Sequence, residues 1–390
     1  MRKMTWIVSF VVMMLFALSI TLATPLSVSA IGEVTPTPDP NEVPTEEQEE
    51  VDVEALIEEG LINIQEGEFR SALANMDTVI NADPSVMTAY LIRGVANSQL
   101  GLTDDAIADF SSAIELEPWQ LDLYIFRGDT YRNNGDFTDA LLDFDQAIYI
   151  NPLTAEAYLR RSDVNYALGD TVAGDVDDLI ARGLGASNLG DTASAFDFLD
   201  EAIELGEGLE SVGSAYYIRA ITNMRAGDAD DAFDDYEAGL DADPNLHNIY
   251  LGRGILYREE GDLQAAGEDF YNRITIHGDE TVETDMEIGD TIEVEMAYRR
   301  VVEISFEGEE GQEITISADD FGDTIVDPLI TLLDPDGNPI AGDDDFGGVL
   351  NSLIDDFELP EDGTYTLMVS HAEGGYTFGF NGLIQVEIDD

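Results

Sequence analysis

Five arginines keep a fixed spacing from five aspartates. Arg93, Arg127, Arg161, Arg219 and Arg253 are followed sixteen residues later by Asp109, Asp143, Asp177, Asp235 and Asp269, and one further stretch changes both members together, to Glu59 and Asn75. Joint presence and joint loss are what a bidentate pair demands, because the planar guanidinium fork matches the two oxygens of a carboxylate. Arginines without matching acids would form a basic row for an anionic ligand. The aspartates favour structural ion pairs, in which losing one buried partner costs about 3–5 kcal/mol.

A second set of candidates could hold a metal. Asp334, Asp336 and Asn338 supply oxygens at alternate positions, and Asp343 and Asp345 follow in an acidic run, the donor type that calcium takes. The remaining ligands and terminal glutamate of an EF-hand loop are missing. In so acidic a chain, loop aspartates serve as solvated turn formers, so the expectation is no cofactor and no metal, with calcium at these five residues as the alternative. His247, His277 and His371 are far apart in sequence, and none lies in a His-Glu-x-x-His helix. The chain has no cysteine, which excludes disulfides, cysteine-ligated zinc, iron–sulfur clusters and thiol nucleophiles. No Gly-x-Ser-x-Gly elbow, P-loop or dinucleotide fingerprint occurs.

The chain of 390 residues carries 16 Lys plus Arg against 83 Asp plus Glu, for a formal net charge of -67. Such a field repels phosphate backbones and anionic headgroups and excludes nucleic-acid binding as a main function.

The elements that position these residues follow from periodicity. Pro84, Pro118 and Pro152 lie 34 residues apart, and Gly67, Gly101, Gly135, Gly169, Gly227 and Gly261 recur ahead of helix-like segments. Each half-unit is apolar at i, i+3, i+4 and i+7, so the unit is two amphipathic helices with a glycine stop between them and a proline stop after them. Gly94, Gly128 and Gly254 would let paired helices approach where Ala106, Ala140 and Ala266 face them. One such unit cannot cover its own apolar face, so the units must stack.

The pattern resembles the tetratricopeptide repeat, most closely at 121–154 through Tyr124, Gly128, Tyr131, Gly135, Phe137, Ala140, Phe144, Ala147 and Pro152. The units read as 53–86, 87–120, 121–154, 155–188, 213–246 and 247–276, with an irregular stretch at 170–212 where one helix can serve two units. The resemblance implies a solenoid over 53–276 whose first helices line a concave groove. Ile57, Leu61, Leu91, Val95, Ile125, Asp129, Leu159, Asp163, Tyr217, Ile221, Leu251 and Ile255 fall at its fifth and ninth positions. This lining is apolar with acidic spots, lacks the Lys/Asn clamp of chaperone-binding members, and suits an apolar or basic segment of a partner protein. Some of these side chains are alternatively packing between neighbouring repeats.

After Glu280 the period shortens. Alternating runs at Thr291–Met296, Val301–Phe306, Glu313–Ser317, Pro328–Leu333, Leu353–Phe357, Tyr365–Val369, Tyr376–Phe380 and Leu383–Ile388 are separated by turn residues, the pattern of an antiparallel sandwich over 277–390. Gly311-Gln312, Asp327-Pro328, Leu332 to Gly337, Ile340 to Asp345, Leu359 to Tyr365 and Gly374-Gly375-Tyr376 resemble the bacterial pre-peptidase C-terminal domain, which implies a jelly-roll-like accessory module of exported proteins.

At the other end, Arg2 and Lys3 precede an apolar run and the small residues Ser27-Val28-Ser29-Ala30, the order of a secretory signal over 1–30 cleaved after Ala30. An uncleaved N-terminal membrane anchor is the alternative. Residues 31–52 are a Pro/Thr/Glu-rich linker. The expectation is a multidomain, secreted or envelope-located, non-enzymatic interaction protein: an all-α repeat solenoid whose groove takes a partner polypeptide, followed by an all-β antiparallel sandwich. A hydrolase site in the sandwich, or a purely structural envelope role, are the competing readings.

Overall fold

The computed structural model describes residues 51–297, 299–321, 326–344, 351–372 and 382–389. The expected signal segment 1–30, residues 31–50 of the linker, the strand at 376–380 and Asp345 lie outside the described residues. Two compact units divide between Pro118 and Trp119.

The first unit holds α1 (Val53–Glu66), α2 (Phe69–Ala82), α3 (Met87–Leu100) and α4 (Thr103–Leu116). The second holds α5 (Leu121–Asn134), α6 (Phe137–Ile150), α7 (Ala155–Leu168), α8 (Thr171–Asn188), α9 (Thr192–Leu205), α10 (Ser211–Ala226), α11 (Ala229–Ala242), α12 (His247–Glu260) and α13 (Leu263–His277), and then nine strands. These 13 described helices pack in tetratricopeptide-like pairs. The glycine stops work through backbone conformation: Gly101 sits at φ 74° and Gly135 at φ 91°, left-handed positions where a side chain is strained. Second helices end on extended residues before proline, as at Asn151 (φ -142°, ψ 101°) ahead of Pro152, because proline disfavours helical geometry in the residue before it.

The close approach within a pair differs from expectation. Glycine meets the aromatic ring of the second helix rather than its alanine: a Cβ at Gly94 would lie 2.8 Å from Phe110, at Gly128 2.7 Å from Phe144, and at Gly254 2.5 Å from Phe270. The alanines are fully buried, but the ring is the larger group and takes the space that the missing side chain leaves.

Within the irregular stretch, the helix that serves two units is a long one. α8 runs 18 residues and packs against both α7 and α9. A Cβ at Gly183 in its second half would strike Leu199 of α9 at 2.7 Å, with the sixteen-residue offset that joins Gly128 to Phe144. The C-terminal half of α8 thus acts as the first helix of the next pair.

The strands are β1 (Glu280–Asp285), β2 (Thr291–Met296), β3 (Arg300–Gly308), β4 (Glu313–Phe321), β5 (Pro328–Leu333), β6 (Pro339–Asp343), β7 (Asn351–Glu358), β8 (Gly363–His371) and β9 (Gly382–Asp389). They form sheets in the orders β1-β3-β8-β5-β6 and β2-β9-β4-β7. Ile304, Phe306, Ile316, Ile330, Leu332, Tyr365, Leu367, Ile384 and Val386 fill the space between them. Two strands escaped the sequence reading. β1 joins β3 in parallel, although the other described pairs are antiparallel, and its six residues are all exposed, so it shows no alternation to read. β6 is short and half apolar.

β5 is buried at all six positions because both its faces are covered. Ile330 and Leu332 enter the sandwich core, whereas Leu329 and Leu333 join Phe270 and Ile274 of α13. On that same face, Thr331 Oγ1 donates to the Gly267 carbonyl at 3.0 Å.

Candidate interaction site

Each of the five arginines reaches the aspartate sixteen residues ahead. Arg93 Nη2 to Asp109 is 2.6 Å, Arg127 Nη2 to Asp143 2.7 Å, Arg161 Nη2 to Asp177 2.6 Å, Arg219 Nη2 to Asp235 2.5 Å and Arg253 Nη2 to Asp269 2.8 Å. The arginine Nε donates to the same carboxylate in every case. Three of the arginines also fork to the preceding second helix: Arg93 to Asp77 at 2.7 Å, Arg161 to Asp145 at 2.7 Å and Arg219 to Asp200 at 2.5 Å. One guanidinium therefore ties two neighbouring helix pairs together. Burial works against the charge on Arg161, and the pull of Asp177 and Asp145 outweighs it and raises its pKa. An asparagine four residues on completes the aspartate shell at Asn97, Asn165 and Asn223, and a tyrosine three residues earlier lies under the guanidinium at 5.2–5.8 Å in four copies, whereas at Arg253 the ring is Tyr257 at 5.9 Å. In the first pair Glu59 is exposed and Asn75 Nδ2 has no hydrogen-bond partner among the described residues.

The groove positions separate into packing and surface residues. Leu91, Val95 and Ile125 are 1%, 3% and 5% exposed. Leu251 belongs to the apolar cluster that joins α13 to the sandwich, and Ile255 packs against it, so the last two positions are taken up inside the molecule. Ile57, Leu61, Tyr217 and Ile221 are half-buried, and Tyr217 packs on the cluster of Tyr236 and Leu256. Leu159 and Asp163 are exposed and Asp129 is half-buried.

Around these last three, α5 and α7 build a charged network. Asp129 pairs with Arg132 at 2.8 Å and lies 3.5 Å from Arg160. Arg132 continues to Asp163 at 2.7 Å, and Arg160 to Glu156 at 2.7 Å. Asp122 completes the set; burial, reinforced by the charge of Glu156, pushes its pKa up to about 6. Burial also raises Asp129, against the pull of Arg160 and Arg132. Asp122, Arg132, Glu156 and Arg160 were missed by the sequence reading. The available signal was local: Arg132 stands three residues after Asp129 and Arg160 four after Glu156, spacings at which helix neighbours pair.

Among the described calcium candidates, Asp334 and Asn338 do not come together with Asp343. Asp334 and Asn338 close the β5–β6 turn on each other, with Asn338 N donating to Asp334 Oδ1 at 2.7 Å. Asp343 lies at the opposite end of β6, beside Ile330. It is fully buried, accepts from Leu353 N at 2.7 Å and is bound by Arg258 Nε from α12. Strand direction separates what the sequence lists as neighbours. Among the described residues no group of His, Asp and Glu side chains is arranged to hold a metal ion. A surface cleft of the sandwich carries Glu307, Glu309 and Asp362; Glu307 accepts from Thr364 and Asp362 from the Glu310 amide.

Helix pairs of this spacing, followed by a two-sheet sandwich, define a repeat-plus-accessory-module protein. Residues 57–118, 127–174 and 219–280 match the tetratricopeptide repeat model, and 304–371 match the bacterial pre-peptidase C-terminal domain. The chain thus carries tetratricopeptide repeats, which mediate protein–protein interaction, and a pre-peptidase C-terminal domain, an accessory module; both are typically non-catalytic. Among curated proteins, it is 34% identical over 86 residues to the Photosystem I assembly protein Ycf3 of Prochlorococcus marinus strains MIT 9303 and MIT 9313, a match covering 22% of this chain. The chain spans 50% of the length of these relatives. Among solved structures it is similar to MamA (19% identity, 47% of this chain and 94% of that one, TM-score 0.28). It is also similar to the first repeat domain of Spaghetti (RPAP3) bound to the HSP90 peptide SRMEEVD (21%, 30% and 95%, TM-score 0.29). A third similar structure is the pre-peptidase C-terminal domain of Bacillus anthracis collagenase (16%, 29% and 99%, TM-score 0.23).

Proposed function

We propose that this chain is an exported, non-catalytic binding protein in which the inner surface of α5 and α7 holds a basic, partly apolar segment of a partner polypeptide. The observation that carries this reading is the network of Asp129, Glu156 and Asp163 around Arg132 and Arg160, with Asp122 close enough to feel the charge of Glu156, so that among the described residues four acids meet two arginines beside the exposed Leu159. Uncompensated negative charge next to apolar surface favours a cationic segment and disfavours an acidic one. The sandwich serves as an accessory module fixed to the last helix pair, and two of its cleft carboxylates, Glu307 and Asp362, already accept from Thr364 and from the Glu310 amide, which favours the non-catalytic reading over a hydrolase. Export is supported by the occurrence of the pre-peptidase domain in bacterial secreted proteins; no helix among the described residues is long and apolar enough to cross a membrane.

The test is selection of displayed random peptides on the full chain, with the double variant Asp129→Asn, Asp163→Asn as the control. Enrichment of Lys/Arg-rich peptides that the control and high salt release supports the reading. Equal retention of basic and acidic peptides, or binding unchanged in the control, ends it. Crosslinking of the native chain in its own envelope fraction then asks whether the captured partner presents such a segment.

A further inference from the structure

The three histidines of the chain converge at the seam where the last helix pair meets the sandwich. His247 opens α12, His277 closes α13 and His371 ends β8, and none is more than 6% exposed. The rings of His247 and His277 lie 4.7 Å apart, and Tyr149 near the end of α6 stands 4.6 Å from the first and 6.4 Å from the second. His371 directly precedes Ala372, at the strand end that α13 reaches. Two arginines share the space. Arg273 of α13, 2% exposed, donates from Nη2 to the Ala372 carbonyl at 3.0 Å. Arg299, in the β2–β3 turn, donates from Nε to the His277 carbonyl at 2.5 Å and pairs with Asp279 at 3.2 Å. A further acid at the seam is Asp327, buried just ahead of β5, whose carbonyl accepts from Ala372 N at 2.9 Å.

Neutral imidazoles suit this arrangement. His247 Nε2 lies 3.2 Å from the Tyr149 carbonyl, which can only accept, so Nε2 carries the proton and Nδ1 is bare. A second proton would go on Nδ1, which is buried with no partner among the described residues, at a cost comparable to any stranded buried donor. It would also add positive charge beside Arg273 and Arg299.

We propose that the cluster is a pH-operated latch: it holds α6, α12–α13 and the sandwich together while His247 and His277 are neutral, and releases the sandwich when they protonate. Burial, with the charge of Arg273 next, keeps His247 and His277 well below the ordinary histidine range. A depressed native pKa means that the open state binds protons first, so the seam is intact above the ordinary value of about 6.5 and weakens as pH falls through it. Asp122 acts with the opposite sign, because its raised pKa lets the folded state take up a proton first. Release would uncover Phe270, Ile274, Val301, Leu329 and Met368, which are buried together at the seam.

Histidine-selective 15N labelling of the full chain tests this, since every imidazole signal comes from the cluster. The readouts are NMR titration and hydrogen exchange at the Gly278 and Ala372 amides. For His247 and His277 we expect no independent titration near about 6.5; instead the two rings change together, and exchange at Ala372 accelerates about tenfold per pH unit for each proton taken up. His277→Gln should move the opening to lower pH and reduce its steepness. His247 or His277 titrating alone with exchange unchanged overturns the latch. So does an acid opening that in both His277→Gln and His247→Gln is unchanged from the native chain, which would assign it to carboxylates; the titration of the unsubstituted chain decides the matter if either variant fails to fold.

Discussion

The arginine forks and the histidine cluster are both buried, charged junctions, but they are assembled in opposite ways. Each fork is made within one helix pair, recurs along the chain and satisfies its charge with a carboxylate at a constant offset, joined in three copies by an asparagine and in three by a second carboxylate on the preceding pair. The histidine cluster occurs once, joins elements about a hundred residues apart and gathers cations around neutral rings. A fork is therefore built to keep its charge, and the cluster to stay neutral. Substitutions that remove a partner from each type of contact measure how far this contrast holds.

The largest effect belongs to Arg161→Ala. It strands Asp177, whose side chain is 1% exposed, and releases Asp145 on the preceding pair. Loss of a buried partner costs about 3–5 kcal/mol, read as a lowered urea midpoint. Asp177→Ala should lose a similar amount and the double variant clearly less than the sum. Strict additivity would show that the two side chains do not act as a pair.

Asp122→Asn comes next and has the opposite sign. The carboxylate is pushed from 3.8 to about 6, so at neutral pH the folded state bears a charge it disfavours. Removing that charge should stabilise by about 2–3 kcal/mol above pH 7. The native chain gains stability as pH falls through 6 toward 4, and the variant should lack that gain. Parallel pH–stability curves for the two would exclude the shift as a property of Asp122.

Gly128→Ala then tests close packing. Its Cβ would meet the Phe144 ring at 2.7 Å, and overpacking of this kind costs about 1–3 kcal/mol. Gly185 in α8 has open space around the same added atom, so Gly185→Ala should be neutral or mildly stabilising.

How much was legible in the sequence follows from the same contrast. A fork has an offset of sixteen in every copy, so five copies and one joint loss exposed it to a reading of types and spacing alone. The extra reach from Arg161 to Asp145 was not seen, because it depends on how one pair stacks on the next. The repeat class and the sandwich were legible through period, whereas β1 was not, being wholly exposed and paired in parallel. Leu251 reads as groove lining because its position in the repeat says so, yet a strand face far along the chain occupies it. Asp343 reads as a loop ligand because it follows Ile340 to Gly342, yet strand direction carries it away from Asp334 and toward Arg258. The histidines carry no motif at all. Their meeting is a product of the sandwich folding back onto α13.

The smallest effect is expected at Arg182, where repeat register and ion pairing separate. Sixteen residues after it stands Phe198, not aspartate, and the guanidinium lies 4.1 Å from that ring, with only a 3.5 Å contact to Asp178 on its own helix. The side chain is 51% exposed, so water already solvates the charge, and an exposed cation–π contact is worth about 0.5–1 kcal/mol. Arg182→Ala should therefore fall within that range, several-fold below Arg161→Ala, although both arginines occupy the same place in their units. The partner sixteen residues on, rather than the position in the repeat, would then account for the strength of the forks. A loss at Arg182 as large as at Arg161 would mean that the shared helix α8 depends on the arginine stem and its packing, and that the carboxylates elsewhere contribute less than their distances imply.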